Sequence, residues 1–251
     1  MSTSFPRFEN GLLSRISDRD LDLLGPVQWV ELAPHNALEV ANREVESIYF
    51  IERGFASVVA DDSDGGFIEI GLIGREGMTG LSVVHGAERT PFSTFMQGPG
   101  SAVRIEPENL RYALRQSWTL QQLLMRYAQA FAIQIASTAS ANGLLLLEQR
   151  VARWLLMVGD RLGESFRITH EFLAVMLAVR RAGVTRALQD LEARGLIRTM
   201  RGVMVITDRE GLATFTNGAY GLAEREYDAL LRELPPSLEA GDRSYRHRVD
   251  G

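Results

Sequence analysis

The sequence contains no cysteine. This absence excludes disulfide bonds, cysteine-ligated iron–sulfur clusters, thiolate zinc sites and thiol catalysis. Histidine is scarce as well: the four histidines lie at positions 35, 85, 170 and 247, and no two of them have the spacing of metal ligands. We therefore expect neither a metal nor another cofactor.

Long apolar runs and lysine are also absent. No apolar run reaches the length of about 18 residues that a membrane-spanning helix requires. Residues 1–17 lack the charged and then apolar pattern of a signal peptide. These absences predict a soluble, cytoplasmic protein without a membrane partner. All 27 basic residues are arginine, which we interpret as genomic base-composition bias.

Charge is distributed unevenly along the chain. The net charge is −5, which is unfavourable for a protein that binds nucleic acid. However, residues 148–209 contain 11 arginines and 7 acidic residues, a net charge of +4, whereas the remainder carries −9. The basic charge is therefore concentrated in one C-terminal segment.

Residues 27–105 have the pattern of an all-β sandwich or barrel. Short apolar or alternating runs such as FASVVA and FIEIGLIG are divided by glycine, proline, asparagine and aspartate. The acidic and glycine-rich residues 61–66 predict a hairpin turn between those two runs. With 251 residues, of which 45% are hydrophobic, we expect two domains.

The segment GLIGREGMTG at residues 71–80 carries four glycines with a spacing of three. Such a loop could present backbone N–H groups to an anion. It lacks the Lys-Ser/Thr ending of a P-loop and the strand-helix context of a dinucleotide fingerprint. A tight turn in a β-roll is the alternative interpretation.

Residues 118–142 form the longest uninterrupted helical pattern and contain neither proline nor glycine. Intrachain packing is one explanation for its apolar face. Because a small sandwich offers little surface to cover such a helix, we favour pairing with a second copy across a two-fold axis. The predicted dimer-interface residues are Leu120, Leu124, Tyr127, Phe131, Ile135 and Thr138.

Residues 168–197 predict two helices separated by a short turn. Thr169 is placed to cap the first helix, and Gly195 ends the second. Strand-like residues around Arg201 and Gly202 then predict a two-stranded wing. In such a helix-turn-helix the second helix enters the major groove, which requires basic side chains near its N-terminal end. The predicted DNA-binding residues are Thr169, Arg180, Arg181, Gly183, Thr185, Arg186 and Arg201.

These residues admit a second explanation, in which the helices form an ordinary packing unit with a solvated arginine face. The wing and the local positive charge favour DNA binding. Arginine can hold guanine or clamp phosphates, and threonine can contact a phosphate or a thymine methyl group.

The order of these segments, with the run LLEQRVARWLLMVGDRL at 146–162 and the stretch 168–197, resembles the Crp/Fnr family of bacterial transcription regulators. The resemblance covers about residues 10–215. It implies an α+β fold with a cyclic-nucleotide-binding-like antiparallel β-roll, a long dimerisation helix and a winged helix-turn-helix. It also implies a homodimer that binds palindromic double-stranded DNA and contacts RNA polymerase.

By position, the resemblance implies that Arg181, Thr185 and Arg186 face bases and phosphates, and that Thr169 contacts a phosphate. The turn glycine common in such motifs is Ala178 here, which is tolerated if that residue avoids the left-handed region. We divide the chain into a sensor domain (1–117), a dimerisation helix (118–142), a winged helix-turn-helix (143–218) and a C-terminal helix with a disordered tail (219–251).

The sensor half departs from the cyclic-nucleotide binders of this family. Leu81 follows Gly80 where those proteins carry a ribose-binding glutamate, and Thr90 stands where a phosphate-binding arginine belongs. Arg89 is one position early, so a shifted loop is a possible alternative. The candidate effector pocket contains Gly77, Met78, Thr79, Gly80, Leu81, Ser82, Arg89 and Thr90. We predict an unknown small-molecule effector or none.

Two other classes of function agree less well with the sequence. An enzyme acting on a phosphorylated substrate at residues 71–80 would need a nucleophile and base or a pair of carboxylates, and none accompanies the loop. A winged-helix module that binds a protein would lack salt-dependent DNA binding. We therefore expect a regulator and no enzyme.

Overall fold

The structure is a computed structural model, and it describes residues 8–61 and 66–232. At the N-terminal end, a 3₁₀ turn at Leu13–Arg15 precedes helix α1 (Asp18–Leu23). Ser17 caps α1, because its hydroxyl accepts a hydrogen bond from the backbone N–H of Asp20.

Seven strands form the N-terminal β-roll as two antiparallel sheets. The strands are β1 (Gln28–Leu32), β2 (Ala37–Glu39), β3 (Ile48–Arg53), β4 (Ala56–Asp61), β5 (Phe67–Ile73), β6 (Ser93–Met96) and β7 (Gly100–Ile105). One sheet has the order β1-β7-β3 and the other β2-β6-β4-β5. The pairing of β4 with β5 confirms the predicted hairpin, whose residues 62–65 lie outside the described part of the chain. Strand β2 was not predicted.

One helix lies between strands of the β-roll, and two more follow its last strand in the chain. Helix α2 (Leu81–Val84) lies between β5 and β6, and α3 (Pro107–Gln116) follows β7 with a proline in its first turn. Helix α4 (Trp118–Leu144) has 27 residues, a length of about 40 Å. It continues through Asn142 and Gly143, so it ends two residues later than the predicted boundary at residue 142.

The structure corrects the predicted face of α4. Leu120, Leu124 and Tyr127 lie in a core cluster of their own chain, with exposed fractions of 2% or less. Phe131 packs against β5, where a Cβ at Gly71 would lie only 2.8 Å from its ring. Ile135 joins the same apolar packing, and Thr138 accepts a hydrogen bond from Arg153. The first four predicted dimer-interface residues therefore pack within one chain, whereas Ile135 and Thr138 are half-buried and their part in a dimer interface stays a prediction.

The C-terminal domain contains a helix bundle and a small sheet. Its helices are α5 (Leu147–Leu162), α6 (His170–Met176), α7 (Arg181–Ala193) and α8 (Arg209–Phe215), and its strands are β8 (Ser165–Arg167), β9 (Ile197–Met200) and β10 (Val203–Ile206). The sheet has the order β8-β10-β9. The pair β9 and β10 confirms the predicted wing, whereas β8 was not predicted.

The last described helix, α9 (Leu222–Arg232), returns to the N-terminal half of the chain and packs along α4. The guanidinium of Arg126 in α4 donates to the carbonyl oxygen of Leu230 at 3.1 Å. The hydroxyl of Tyr227 donates to the carbonyl oxygen of Glu76 at 2.7 Å. Helix α9 thus connects the two halves. The predicted disordered tail lies outside the described residues.

Direct contacts also join the β-roll to α5 and α6. Trp154 of α5 packs edge-on against Phe55, and Arg161 of α5 forms an ion pair with Glu76. The N-terminal half of the chain forms antiparallel sheets, and the C-terminal half contains a winged helix-turn-helix. This arrangement confirms the predicted fold class. Among the described residues, no helix is long and apolar enough to cross a membrane.

Candidate nucleic-acid interface and ligand pocket

The first helix of the helix-turn-helix begins as the sequence predicts. The Thr169 hydroxyl accepts a hydrogen bond from the backbone N–H of Phe172 at 3.1 Å, so Thr169 is the N-cap of α6. Its side chain is exposed at the helix end. The same residue can therefore cap α6 and lie next to a phosphate.

The turn between α6 and α7 places Ala178 in the left-handed region, with φ at 51°. This differs from the expectation that Ala178 would avoid that region. The turn requires it because the N–H of Val179 returns to the carbonyl oxygen of Ala174 at 2.9 Å. Alanine carries a steric penalty in this conformation that glycine does not.

Helix α7 presents arginines at its N-terminal end. Arg180 is the N-cap, Arg181 is the first helical residue, and Arg186 lies in the second turn. All three side chains are exposed. Arg181 lies 3.7 Å from the carboxylate of Glu171, an exposed pair that contributes little to stability. The opposite side of α7 buries Val184, Leu188 and other apolar residues against α5.

Two of the predicted DNA-binding residues have intrachain roles. The Thr185 hydroxyl lies 2.9 Å from Nδ1 of His170, which ties α7 to the start of α6. A Cβ at Gly183 would lie 2.9 Å from Cδ2 of Leu147, so Gly183 faces α5 and lets the helices approach closely. Gly183 thus has a packing role, and its contact with DNA stays a prediction.

The wing turn consists of Arg201 and Gly202, which have φ of 50° and 77°. Two consecutive left-handed residues produce the tight turn that joins twisted antiparallel strands. Arg201 is exposed at its tip. Arg167 and Arg198 are also exposed, on β8 and β9, the two outer strands of this sheet. The sequence analysis missed both, although their alternation with buried Phe166 and Ile197 was a usable signal.

The predicted effector residues gather around one cavity of about 330 Å³ in the β-roll. Seven of the eight predicted residues line it: Met78, Thr79, Gly80, Leu81, Ser82, Arg89 and Thr90. Gly77 is the exception, because it faces Tyr127, whose hydroxyl oxygen would lie 2.0 Å from a Cβ at that position. We refer to this space as the β-roll cavity.

The β-roll cavity includes residues that the sequence analysis did not select. Glu39 of β2 is half-buried there, and its carboxylate accepts hydrogen bonds from the Gly80 N–H at 3.0 Å and the Thr94 hydroxyl at 2.7 Å. Burial raises the pKa of Glu39, although these two hydrogen bonds act in the opposite direction. Ala128, Phe131 and Ile135 of α4 form another wall. No sequence signal identifies Glu39, because β2 has three residues.

Comparison with known families decides the nature of the C-terminal domain. Residues 149–215 match the family model of the Crp-like helix-turn-helix domain. Residues 149–215 are a Crp-like helix-turn-helix domain. This match includes α5, the helix-turn-helix, the wing and α8, and it ends before α9.

Solved structures of CRP/FNR-family regulators share the fold over about three quarters of the chain. A CRP-family regulator from Thermus thermophilus is similar over 76% of this chain and 98% of its own, with 20% identity and a TM-score of 0.64. FixK2 from Bradyrhizobium japonicum is similar over 76% and 97%, with 15% identity and a TM-score of 0.67. The c-di-GMP-responsive regulator CLP from Xanthomonas campestris is similar over 76% and 99%, with 15% identity and a TM-score of 0.62. No curated protein matches the sequence.

Proposed function

We propose that the protein is a transcription regulator that binds a two-fold-symmetric DNA site as a homodimer. The observation that carries this proposal is the exposed set Arg180, Arg181 and Arg186 at the N-terminal end of α7, together with the exposed wing tip at Arg201. Exposed arginines on a second helix whose opposite side is buried are the arrangement that major-groove readout requires. Enzymatic activity has no support in this arrangement.

A largely exposed surface on α4 supports self-association. Its residues recur with alternating spacings of four and three, the heptad pattern of paired helices. We call this surface the seam, and it consists of Trp118, Gln122, Met125, Gln129, Ala132, Ala136, Ala139 and Gly143. None of these residues is charged. Trp118 and Met125 have exposed fractions of 66% and 42%, so pairing along the seam would remove apolar surface from water.

The homodimer has consequences for the DNA site. Pairing along the seam would relate two copies of α7 by a two-fold axis, and each copy would enter the major groove of one half-site. Half-sites for such a dimer are centred about one helical turn apart, roughly 10 base pairs. Once bound upstream of a gene, the regulator would contact RNA polymerase, and the β-roll cavity would hold its effector.

Selection of binding sites from random duplexes, followed by fluorescence anisotropy at several salt concentrations, tests the proposal. We expect an inverted repeat, a complex of two chains per duplex, and an affinity that falls steeply with salt. A triple variant in which Arg180, Arg181 and Arg186 are replaced by alanine should lose binding. A matched triple of alanine substitutions at exposed Arg19, Arg43 and Arg115 should bind like the wild type.

A second result would identify a different function. If the protein enriches no sequence and shows no salt-dependent binding to any duplex, the winged helix-turn-helix does not contact DNA. The protein-interaction alternative would then replace the proposal.

A further inference from the structure

The β-roll cavity has walls that consist mainly of carbon. Val58 and Ile73 come from the sheet, Met78 and Leu81 from the segment that leads into α2, and Phe131 and Ile135 from α4. A cavity of about 330 Å³ lies at the lower end of the range for small-molecule sites. Its walls therefore favour a small ligand that is largely apolar.

Three polar side chains of the walls already accept hydrogen bonds from the protein. The Thr79 hydroxyl accepts from the N–H of Tyr49 at 3.0 Å, and the Thr90 hydroxyl accepts from the N–H of Phe92 at 3.2 Å. The Glu39 carboxylate accepts from Gly80 and Thr94. Ser82 is different: its Oγ is buried and has no partner among the described residues. A buried hydroxyl without a partner costs free energy unless a ligand or water supplies one.

The charges around the cavity disfavour an anion inside it. The Glu39 carboxyl group lies in the wall, and an anionic ligand beside its carboxylate form would bring two like charges together in a partly desolvated site. The cationic or titratable groups that line the cavity are Arg89 and His85, and both are exposed. Their attraction for an anion is screened by solvent. Cyclic nucleotides, which carry a phosphate, therefore do not match the interior.

We propose that the β-roll cavity binds an uncharged, largely apolar small molecule whose single polar group forms a hydrogen bond with the Ser82 hydroxyl. The inference builds on the proposed function, because it names the class of effector that the regulator would sense. The ligand would lie against Phe131 and Ile135 of α4, and Ala132 belongs both to the cavity and to the seam. Occupancy would therefore act on the helix that is proposed to join two copies.

Three probes with the same alkyl chain test the charge preference: 1-octanol, octanoate and octylammonium. Binding to the full chain is measured at pH 7.5 by ligand-observed nuclear magnetic resonance and calorimetry. We expect 1-octanol to bind at least about tenfold more tightly than octanoate, because burying the carboxylate without a partner costs at least one decade of affinity. Equal or tighter binding of octanoate or octylammonium, or of cyclic AMP, would overturn the proposal.

Two conservative variants test the residues. Ser82→Ala should weaken 1-octanol about three- to tenfold, the range for one hydrogen bond, whereas Ser140→Ala on an exposed position of α4 should have no effect. Glu39→Gln removes the negative charge and should reduce the preference for 1-octanol over octanoate. An unchanged affinity in Ser82→Ala, with a native circular dichroism spectrum, would also overturn the proposal.

DNA binding is measured separately on the same samples by fluorescence anisotropy. Salt-dependent DNA binding without 1-octanol binding contradicts the ligand class and leaves the proposed function intact. Binding of 1-octanol that depends on Ser82, without any DNA binding, contradicts the proposed function and supports the ligand class. The two failures are therefore distinguishable.

Discussion

The indole N–H of Trp154 donates a hydrogen bond to the carboxylate of Glu69, with 2.7 Å between Nε1 and Oε1. Trp154 lies on α5 of the DNA-binding domain, and Glu69 lies on β5 of the β-roll. Ser57 donates to the other carboxylate oxygen. The Trp154 ring also contacts Phe172, at the start of the helix-turn-helix. This buried pair thus links a sheet of the β-roll to the helix-turn-helix domain.

The first prediction concerns the pH dependence of stability. Burial raises the pKa of Glu69 from 4.5 to about 7, against the opposing effects of Ser57, Trp154, Arg161 and Arg153. The unfolded chain therefore loses this proton at lower pH than the folded chain. The stabilising contribution of protonated Glu69 to the free energy of unfolding is fully present below pH 4.5. It is lost as the pH rises from 4.5 to about 7, so the free energy of unfolding falls by about 3 kcal/mol over this range.

Urea unfolding of the wild type and of Glu69→Gln between about pH 4.5 and 8.5 checks this prediction. The glutamine can still accept from Trp154 and has no charge to bury, so it should remove this component of the pH dependence and be more stable at pH 8. The exposed Glu31→Gln is the control and should follow the wild type. Parallel curves for Glu69→Gln and the wild type would show that Glu69 does not titrate in this range.

The second prediction concerns the turn of the helix-turn-helix. Ala178 has a positive φ, so Ala178→Gly should raise the free energy of unfolding by about 0.5–1 kcal/mol. Exposed Ala182 lies inside the right-handed α7, where the same substitution should lower the free energy of unfolding by a similar amount. Thermal and urea unfolding measure both variants. Destabilisation in both would mean that the turn does not hold Ala178 in the left-handed region in solution.

The third prediction concerns the oligomeric state. Gln129→Glu combined with Ala136→Glu places four carboxylates along the proposed seam of a dimer, and like charges there should yield monomers. Analytical ultracentrifugation measures the mass. Gln116→Glu, at an exposed position of α3, should leave a dimer intact. If the double variant remains dimeric, the two copies associate through a different surface.

The fourth prediction separates the two arginines of α7. If Arg181 reads a base edge, Arg181→Ala should cost about 1–3 kcal/mol on the selected site and relax the preference at one base pair per half-site. If Arg186 holds a phosphate, Arg186→Ala should weaken all duplexes alike and reduce the salt slope by about one unit. Titrations on the selected and a scrambled site measure both. Equal losses on both duplexes for Arg181→Ala would assign it to the backbone.

The sequence predicted the helix-turn-helix well because its boundaries depend on local chemistry. The Thr169 cap of α6 and the left-handed Gly195 after α7 each involve residues within one turn of their partners. The strands β2 and β8 could not be predicted in the same way. Each has only three residues and exists because a distant strand pairs with it.

The face of α4 that packs inside the chain could not be predicted from its composition. Arg126 is the only charged residue of this helix, so polar and apolar positions do not identify a solvent side. The apolar stripe pointed to a partner, but the sequence gives no indication that β5 and α9 cover Tyr127 and Phe131. The seam is the face of α4 that the rest of the chain leaves exposed, so its position depends on which face is covered.

Helix α9 has a consequence for the order of events during protein synthesis. Leu231 completes the hydrophobic cluster that contains Leu120, Leu124 and Tyr127, yet it is made more than a hundred residues after them. At about 5–20 residues per second, that part of the cluster stays uncovered on the ribosome for several seconds. During this interval the nascent β-roll exposes apolar surface, and closing it requires a segment translated after the whole DNA-binding domain.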